Sequence, residues 1–218
     1  MPLALFDLDD TLIAGDSATL WLRFLVAKGL ADAAMLPQEA EMMRAYREGA
    51  LKMEDYMRFT LQPLAGRRQA EVAGWVERFI AQEISPIIYP QARETLARYQ
   101  QDGWRCVVIS ATGEHLVQRI AAHLGVSEAL AIQLEQDGER YSGDTTGILT
   151  YQQGKVDRLH AWLAEHDETL AGSHGYSDSI NDVPLLTATE RAFVVNPDPR
   201  LADHAQAHGW LTLDWNLS

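Results

Sequence analysis

The chain has 218 residues, 47% apolar and 22% charged, the proportions of an ordinary globular protein with room for one large domain or a core carrying an insert. Its 18 basic and 31 acidic side chains leave a net charge of −13, which argues against nucleic acid or an anionic membrane as partner. One cysteine, Cys106, excludes an intramolecular disulfide, and no stretch is long and apolar enough to span a bilayer or to act as a leader, so the expected location is the cytoplasm.

From the N-terminus, the apolar run at 3–8 predicts a buried strand. Residues two apart on a strand point the same way, so Asp7 and Asp9 are expected to pair while Asp10 faces elsewhere. Two such carboxylates repel and are poorly solvated unless a cation or a shared proton compensates. Around Gly15, with Asp16 and Ser17 as candidate caps, the pattern changes. Residues 17 to about 86 are rich in Leu, Met, Ala, Trp and Arg at helical spacing, and read as an inserted helical segment with a second hinge at 84–90. Further strands are predicted at 106–109, 129–134, 174–176, 192–195 and 211–213, and Asp137-Gly138 predicts a hairpin within 133–150. Strands alternating with helices give an α/β fold, a parallel sheet wrapped by helices.

Ligands bind at the C-terminal edge of such a sheet, and the polar motifs fall there. Asp7 and Asp9 end one strand, Ser110 follows another, and Asp178 follows a third. With Asp182 they make an all-oxygen cluster suited to a hard divalent cation, magnesium above all when a phosphate adds oxygens. Lys155, behind Gly154 at the start of a helix over 156–164, brings an ammonium for a phosphoryl oxygen. Ser110, with Ala111 and Thr112 before a helix beginning near Glu114, offers a hydroxyl and backbone N–H groups of the kind that hold phosphate. Each motif alone reads more readily as a cap, a turn or a solvated residue than as a site. Their appearance together, in this order, points to a shared phosphoryl site.

On Asp7-Leu8-Asp9-Asp10-Thr11, Ser110, Gly154-Lys155 and Ser177-Asp178-Ser179-Ile180-Asn181-Asp182, the chain resembles the haloacid dehalogenase superfamily over nearly its whole length, in the branch similar to phosphoserine phosphatases. The resemblance implies a Rossmann-like core, residues 1–15 and 87–218, with an inserted helical cap, residues 16–86. It implies a magnesium-dependent phosphomonoesterase acting on a small phosphorylated metabolite, a phosphoserine-like ester or histidinol phosphate. Asp7 would be the nucleophile, forming an aspartyl-phosphate, and Asp9 the acid and base. Magnesium would take Asp7, the backbone carbonyl of Asp9, and Asp178, with Asp182 near the metal or Lys155, while Ser110, Lys155 and Asn181 would hold phosphoryl oxygens. A phosphotransferase using an alcohol acceptor needs the same residues, and a non-catalytic phospho-Asp switch fits less well with the insert. Oligomeric state stays open.

Where those phosphatases place a Glu for the substrate's amine, this chain has Asp16, which also reads as a helix cap. Arg47 and Arg58 are the cationic substrate-binding candidates of the insert. Gly15-Asp16-Ser17 and Trp21 resemble a bacterial subgroup of small phosphatases, some assigned to histidinol phosphate. His204 and His208, spaced i, i+4, are expected to be a surface pair rather than a zinc site.

Overall fold

The computed structural model describes residues 1–47 and 50–218, apart from the side chains of 46 and 47. Strand β1 (Leu3–Phe6) leads into four helices, α1 (Ser17–Ala27), α2 (Met35–Arg47), α3 (Met53–Leu61) and α4 (Gln69–Phe79). A π turn (Ile80–Ile84) brings the chain back to α5 (Pro90–Gln101). Strands and helices then alternate: β2 (Arg105–Gly113), α6 (Glu114–His123), β3 (Glu128–Asp137), β4 (Arg140–Thr146), α7 (Gln153–His166), β5 (His174–Ser177), α8 (Val183–Ala188), β6 (Arg191–Val195), α9 (Pro199–His208) and β7 (Leu211–Leu213). A short 3₁₀ turn (Ile180–Asp182) precedes α8.

These strands form one sheet in the order β4-β3-β2-β1-β5-β6-β7. Every pairing is parallel except β3 with β4, the predicted hairpin, which turns at Gly138 with φ of 59°. All four β1 residues are buried, as a central parallel strand covered on both faces requires. That strand pairs with β2 on one side and β5 on the other, so the ends of β1, β2 and β5 lie side by side. This is a Rossmann-like α/β fold.

Two strand boundaries differ from expectation. β1 stops at Phe6, so Asp7 and Asp9 are held by the loop after the strand rather than by strand alternation. β2 runs through Ser110 to Gly113 instead of ending at Ile109, and its register against β3 shifts between Ile109 and Gly113. Such an irregularity re-aims side chains near a sheet edge, here those of Ser110, Ala111 and Thr112.

The helical segment shares its core with the sheet. Phe24, Trp75, Val76 and Phe79 of α1 and α4 belong to the same buried cluster as Phe6, Val108 and Tyr176; a small satellite, Leu22, Met35 and Phe59, joins α1, α2 and α3. Trp21, Trp75, Trp162 and Trp215 are buried, as expected of packing anchors. Cys106 is buried too, and burial pushes its thiol up to about 11, away from reactivity. His204 and His208 stack at 4.0 Å on α9. No helix among the described residues is long and apolar enough to cross a membrane.

Candidate active site

At the ends of β1, β2 and β5 lies a cavity of about 690 Å³, within the usual range for a small-molecule site. Its floor belongs to the sheet and its roof to α1, α2 and α3: Asp7, Asp9, Lys155, Asp178, Asn181 and Asp182 face Asp16, Thr19, Glu39 and Tyr56 across it.

Lys155 organises the floor. Its Nζ donates to Asp7 Oδ1 at 2.6 Å and to Asp182 Oδ2 at 2.7 Å, and all three residues are buried. Gly154 makes this placement possible, since a Cβ there would run into the Leu149 carbonyl oxygen; only glycine lets the first turn of α7 seat against that loop. Asp182 accepts a second bond from the Ser177 hydroxyl at 2.7 Å. Burial disfavours the ammonium, but the charges of Asp182 and Asp7 outweigh it and hold Lys155 protonated well above its ordinary range.

Thr11, fully buried, joins the remaining acids: its hydroxyl lies 3.3 Å from Asp7 Oδ2 and 3.0 Å from Asp178 Oδ1. Asp7 Oδ1 therefore faces the lysine and Oδ2 the Asp178 side. Asp9 is held by other contacts. Its Oδ1 accepts the Ser17 N–H at 2.7 Å, while Oδ2 accepts from the Thr112 hydroxyl at 3.1 Å and the Ser110 hydroxyl at 3.3 Å. Asp10 sits exposed at the rim with φ of 54°.

Electrostatics divides the first two acids. Burial raises the Asp7 carboxyl to about 6, against the pull of Lys155 and with a further push from Asp182. Asp9 is raised to about 8, by burial first and then by Asp16 and Asp7. Asp9 is the more strongly raised of the two and so the readier to hold a proton, the order that acid–base chemistry beside a carboxylate needs. Asp178 is raised well above its ordinary value by burial and by the charges of Asp7, Asp182 and Asp10. Acids strained in this way are relieved by a cation, and the all-oxygen donor set suits a hard divalent ion. Among the described residues no three acidic, imidazole or thiol side chains already converge on one point. Asp7 and Asp178, brought together by the Thr11 hydroxyl between them, are the two side chains placed to offer oxygens to such an ion.

Other expected residues land differently. Asp182, expected near the metal or Lys155, is engaged by Lys155 and Ser177 through one oxygen. Ser110 is fully buried and turned onto Asp9, and Ala111 and Thr112 form the cavity wall there. Asn181 lines the cavity, its Oδ1 accepting from Gln152 Nε2 at 3.0 Å and Tyr151 OH at 3.4 Å. Asp16 caps α1 through the Thr19 N–H at 2.7 Å and also lines the cavity roof. Arg58 is a correction: it is exposed, 3.6 Å from Asp144 of β4, and away from the cavity. It follows Met57 on the outer side of α3, whose buried face is Met53, Tyr56, Met57, Phe59 and Leu61. Arg47 ends α2, and its side chain lies outside the described residues. Sequence reasoning missed Thr11 and Thr112 as carboxylate partners, and Glu39, whose buried carboxylate lines the cavity and accepts the Thr19 hydroxyl at 2.5 Å.

The family model for haloacid dehalogenase-like hydrolases matches residues 4–187. A histidinol-phosphatase of Neisseria meningitidis serogroup C is 38% identical over 98% of both chains. A crystal structure of a protein of unknown function from Bordetella pertussis is 36% identical, covers 100% of this chain and 99% of its own, and superposes with a TM-score of 0.91. A substrate-bound phosphoserine phosphatase, 20% identical over 97% of this chain and 92% of its own, shares the fold at a TM-score of 0.71.

Proposed function

The chain belongs to the haloacid dehalogenase-like hydrolase family and is a phosphatase, and from that premise we propose that it hydrolyses a small phosphomonoester through an aspartyl-phosphate on Asp7, with magnesium as cofactor. The observation that carries this reading is the placement of Asp7, Asp9 and Asp178 around one cavity, with Lys155 fixed against Asp7 and Asp182.

In the first half-reaction an Asp7 carboxylate oxygen bonds to phosphorus and the ester P–O bond breaks. Asp9, protonated, gives its proton to the departing alkoxide oxygen. In the second, Asp9, now a carboxylate, takes a proton from water as that water's oxygen bonds to phosphorus, and the acyl-phosphate P–O bond breaks to restore Asp7. Lys155 neutralises charge on the phosphoryl oxygens, and Asn181 orients them. Asp7, Asp178 and the Asp9 carbonyl would hold magnesium, which would supply further charge neutralisation at the phosphoryl group. Ser110 acts one step back, holding Asp9 together with Thr112. The roof, residues 16–86, is the cap that encloses the ester's other end.

Histidinol phosphate is the substrate we assign first, because of the relative with that name and because acids, Asp16 and Glu39, line the roof. The test is phosphate release from histidinol phosphate and phosphoserine, with magnesium and with chelator, using Asp7→Asn as blank. Magnesium-dependent release that Asp7→Asn abolishes is the expected result; release unaffected by either change overturns the reading.

A further inference from the structure

We propose that Gln152 is a positioning residue: from outside the cavity it holds the Asn181 side chain with its oxygen turned away and its NH2 group presented to the phosphoryl oxygens. This rests on the phosphatase reading above and on Asn181 as a phosphoryl partner within it.

The backbone gives the first sign. Gln152, the residue before α7, has φ of 51° and ψ of −120°, and the Gly154 N–H donates across it to the Tyr151 carbonyl at 2.9 Å. These are the angles and the bond of a type II′ turn with Gln152 at its first central position, where glycine is the ordinary occupant because a Cβ is strained there. Among the described residues the other non-glycine positions with positive φ are Asp10, Asp167 and Asn196, residue types that bear the left-handed region best. Gln is not of that kind. The chain has glycine two positions on, at Gly154, where a Cβ would have no room, yet it carries a long side chain at 152, where the backbone asks for glycine. Strain kept in this way belongs with a side chain that has a task.

Gln152 is exposed and lies outside the cavity lining, so it acts through its neighbours. Its Nε2 donates to Asn181 Oδ1 at 3.0 Å and to the Tyr151 hydroxyl at 3.1 Å, and that hydroxyl donates to the same Asn181 oxygen at 3.4 Å. Two donors thus converge on one oxygen of a residue that lines the cavity with Lys155. An amide has a donor end and an acceptor end, whereas the oxygens of a phosphate dianion only accept. With Oδ1 taken up, Nδ2 is the end left for phosphate, and a half-turn of the same amide would set oxygen against oxygen. The Asn181 backbone is fixed separately, its N–H donating to Ser179 Oγ at 3.3 Å. What Gln152 adds is therefore the direction of the amide and not the place of the residue. The Gln152 carbonyl also accepts the Lys155 N–H at 3.1 Å, so the short segment 152–155 sets both the ammonium and the amide that meet the phosphoryl group.

The competing account is an exposed contact without consequence for phosphate. The experiment measures kcat/KM for histidinol phosphate and for p-nitrophenyl phosphate, with magnesium, the Ki of inorganic phosphate as competitive inhibitor, and Tm. Gln152→Met keeps the length of the side chain and removes the donor. It should raise Ki and lower kcat/KM for both esters by roughly 3- to 10-fold, the worth of one neutral hydrogen bond at the end they share. Gln152→Gly should show the same loss while Tm stays level or rises, because glycine adopts this turn without strain. Asn181→Ala should cost roughly 10-fold or more, and adding Gln152→Met to it should cost nothing further, since the glutamine acts through that amide. Gln152→Glu, which accepts but does not donate, should lose at least as much as Gln152→Met. The proposal is overturned, with the phosphatase reading intact, by unchanged Ki and kcat/KM in Gln152→Met and Gln152→Gly, or by a Tm that falls with activity in Gln152→Gly. A full Gln152→Met loss on top of Asn181→Ala, or unaltered phosphate affinity in Gln152→Glu, overturns it equally. No Asp7-dependent release from either ester by the unaltered enzyme overturns the phosphatase reading itself.

Discussion

The floor and the roof of the cavity both bury carboxylates, but they stabilise them by different means. On the floor, Asp7 and Asp182 share a fixed ammonium, Lys155, and the three come from the loop after β1, the 3₁₀ turn after β5 and the first turn of α7. On the roof, Asp16 and Glu39 rely on hydrogen bonds from the first turn of α1, and burial pushes Asp16 above its ordinary value in spite of them. A floor with its own counter-ion is complete before substrate arrives and can serve any phosphate ester. The roof's acids come from the helical segment and the floor's from the sheet side, so the two sets are carried by separate elements of one fold.

The most severe way to break the floor is Asp7→Asn, which should reduce kcat/KM by roughly 10⁴-fold or more. The variant should still fold, because it removes one of several mutually repelling acids. Lys155→Ala comes next: it leaves Asp7 and Asp182 buried without their counter-ion, and losing one partner of a buried pair costs about 3–5 kcal/mol. Differential scanning calorimetry should show Tm falling by roughly 10 °C or more, and turnover should fall by about 10²- to 10³-fold. The same substitution on an exposed pair would do almost nothing, which is how far burial changes the worth of an ion pair.

A pH dependence separates the acids further. Asp9 and Asp7 are raised to about 8 and about 6 from 3.8, so between these limits the folded state holds protons that the unfolded chain has released. Stability of the metal-free protein is then highest at low pH in this range and declines as pH rises from about 4 to about 8. Magnesium compensates the same charges, so its stabilising effect should grow over that interval. Melting curves with magnesium and with chelator at pH 5 and pH 8 check this; a magnesium shift no larger at pH 8 than at pH 5 would show that these acids do not bind the ion. The smallest effect belongs to Arg58→Ala. Its ion pair with Asp144 is exposed on both sides, so stability should change by less than about 0.5 kcal/mol and kcat/KM by less than about twofold, whereas a larger loss would bring α3's outer face into substrate binding.

The floor was legible in the sequence and the roof largely was not, for physical reasons. Apolar runs bounded by Asp, Ser and Gly mark strand ends, and strand ends of a parallel sheet converge whatever lies between them in the chain; hence Asp7, Ser110, Lys155 and Asp178 could be brought together from spacing alone. The details of that convergence were not readable. Ser110 sits inside β2 at a register shift and turns onto Asp9, because side-chain direction at an irregular strand end depends on contacts that only folding creates. On the roof, Glu39 and Glu41 stand two apart in the same amphipathic helix and differ only in which side faces the cavity; Glu41 is exposed and pairs with Arg44. Thr19 carries no motif at all. Arg58 drew attention by charge, yet charge on an amphipathic helix more often marks the wet face than a site.

The most direct test of the central claim is chemical trapping. The enzyme is mixed with excess histidinol phosphate and magnesium, quenched in acid during the first turnover, digested, and its peptides are mapped by mass spectrometry. One phosphoryl group on Asp7, sensitive to hydroxylamine and missing when Asp9 and the rest are intact but Asp7 is Asn, is the predicted result. A phosphoryl group on any other side chain, or rapid phosphate release with no covalent species at any quench time, would contradict it.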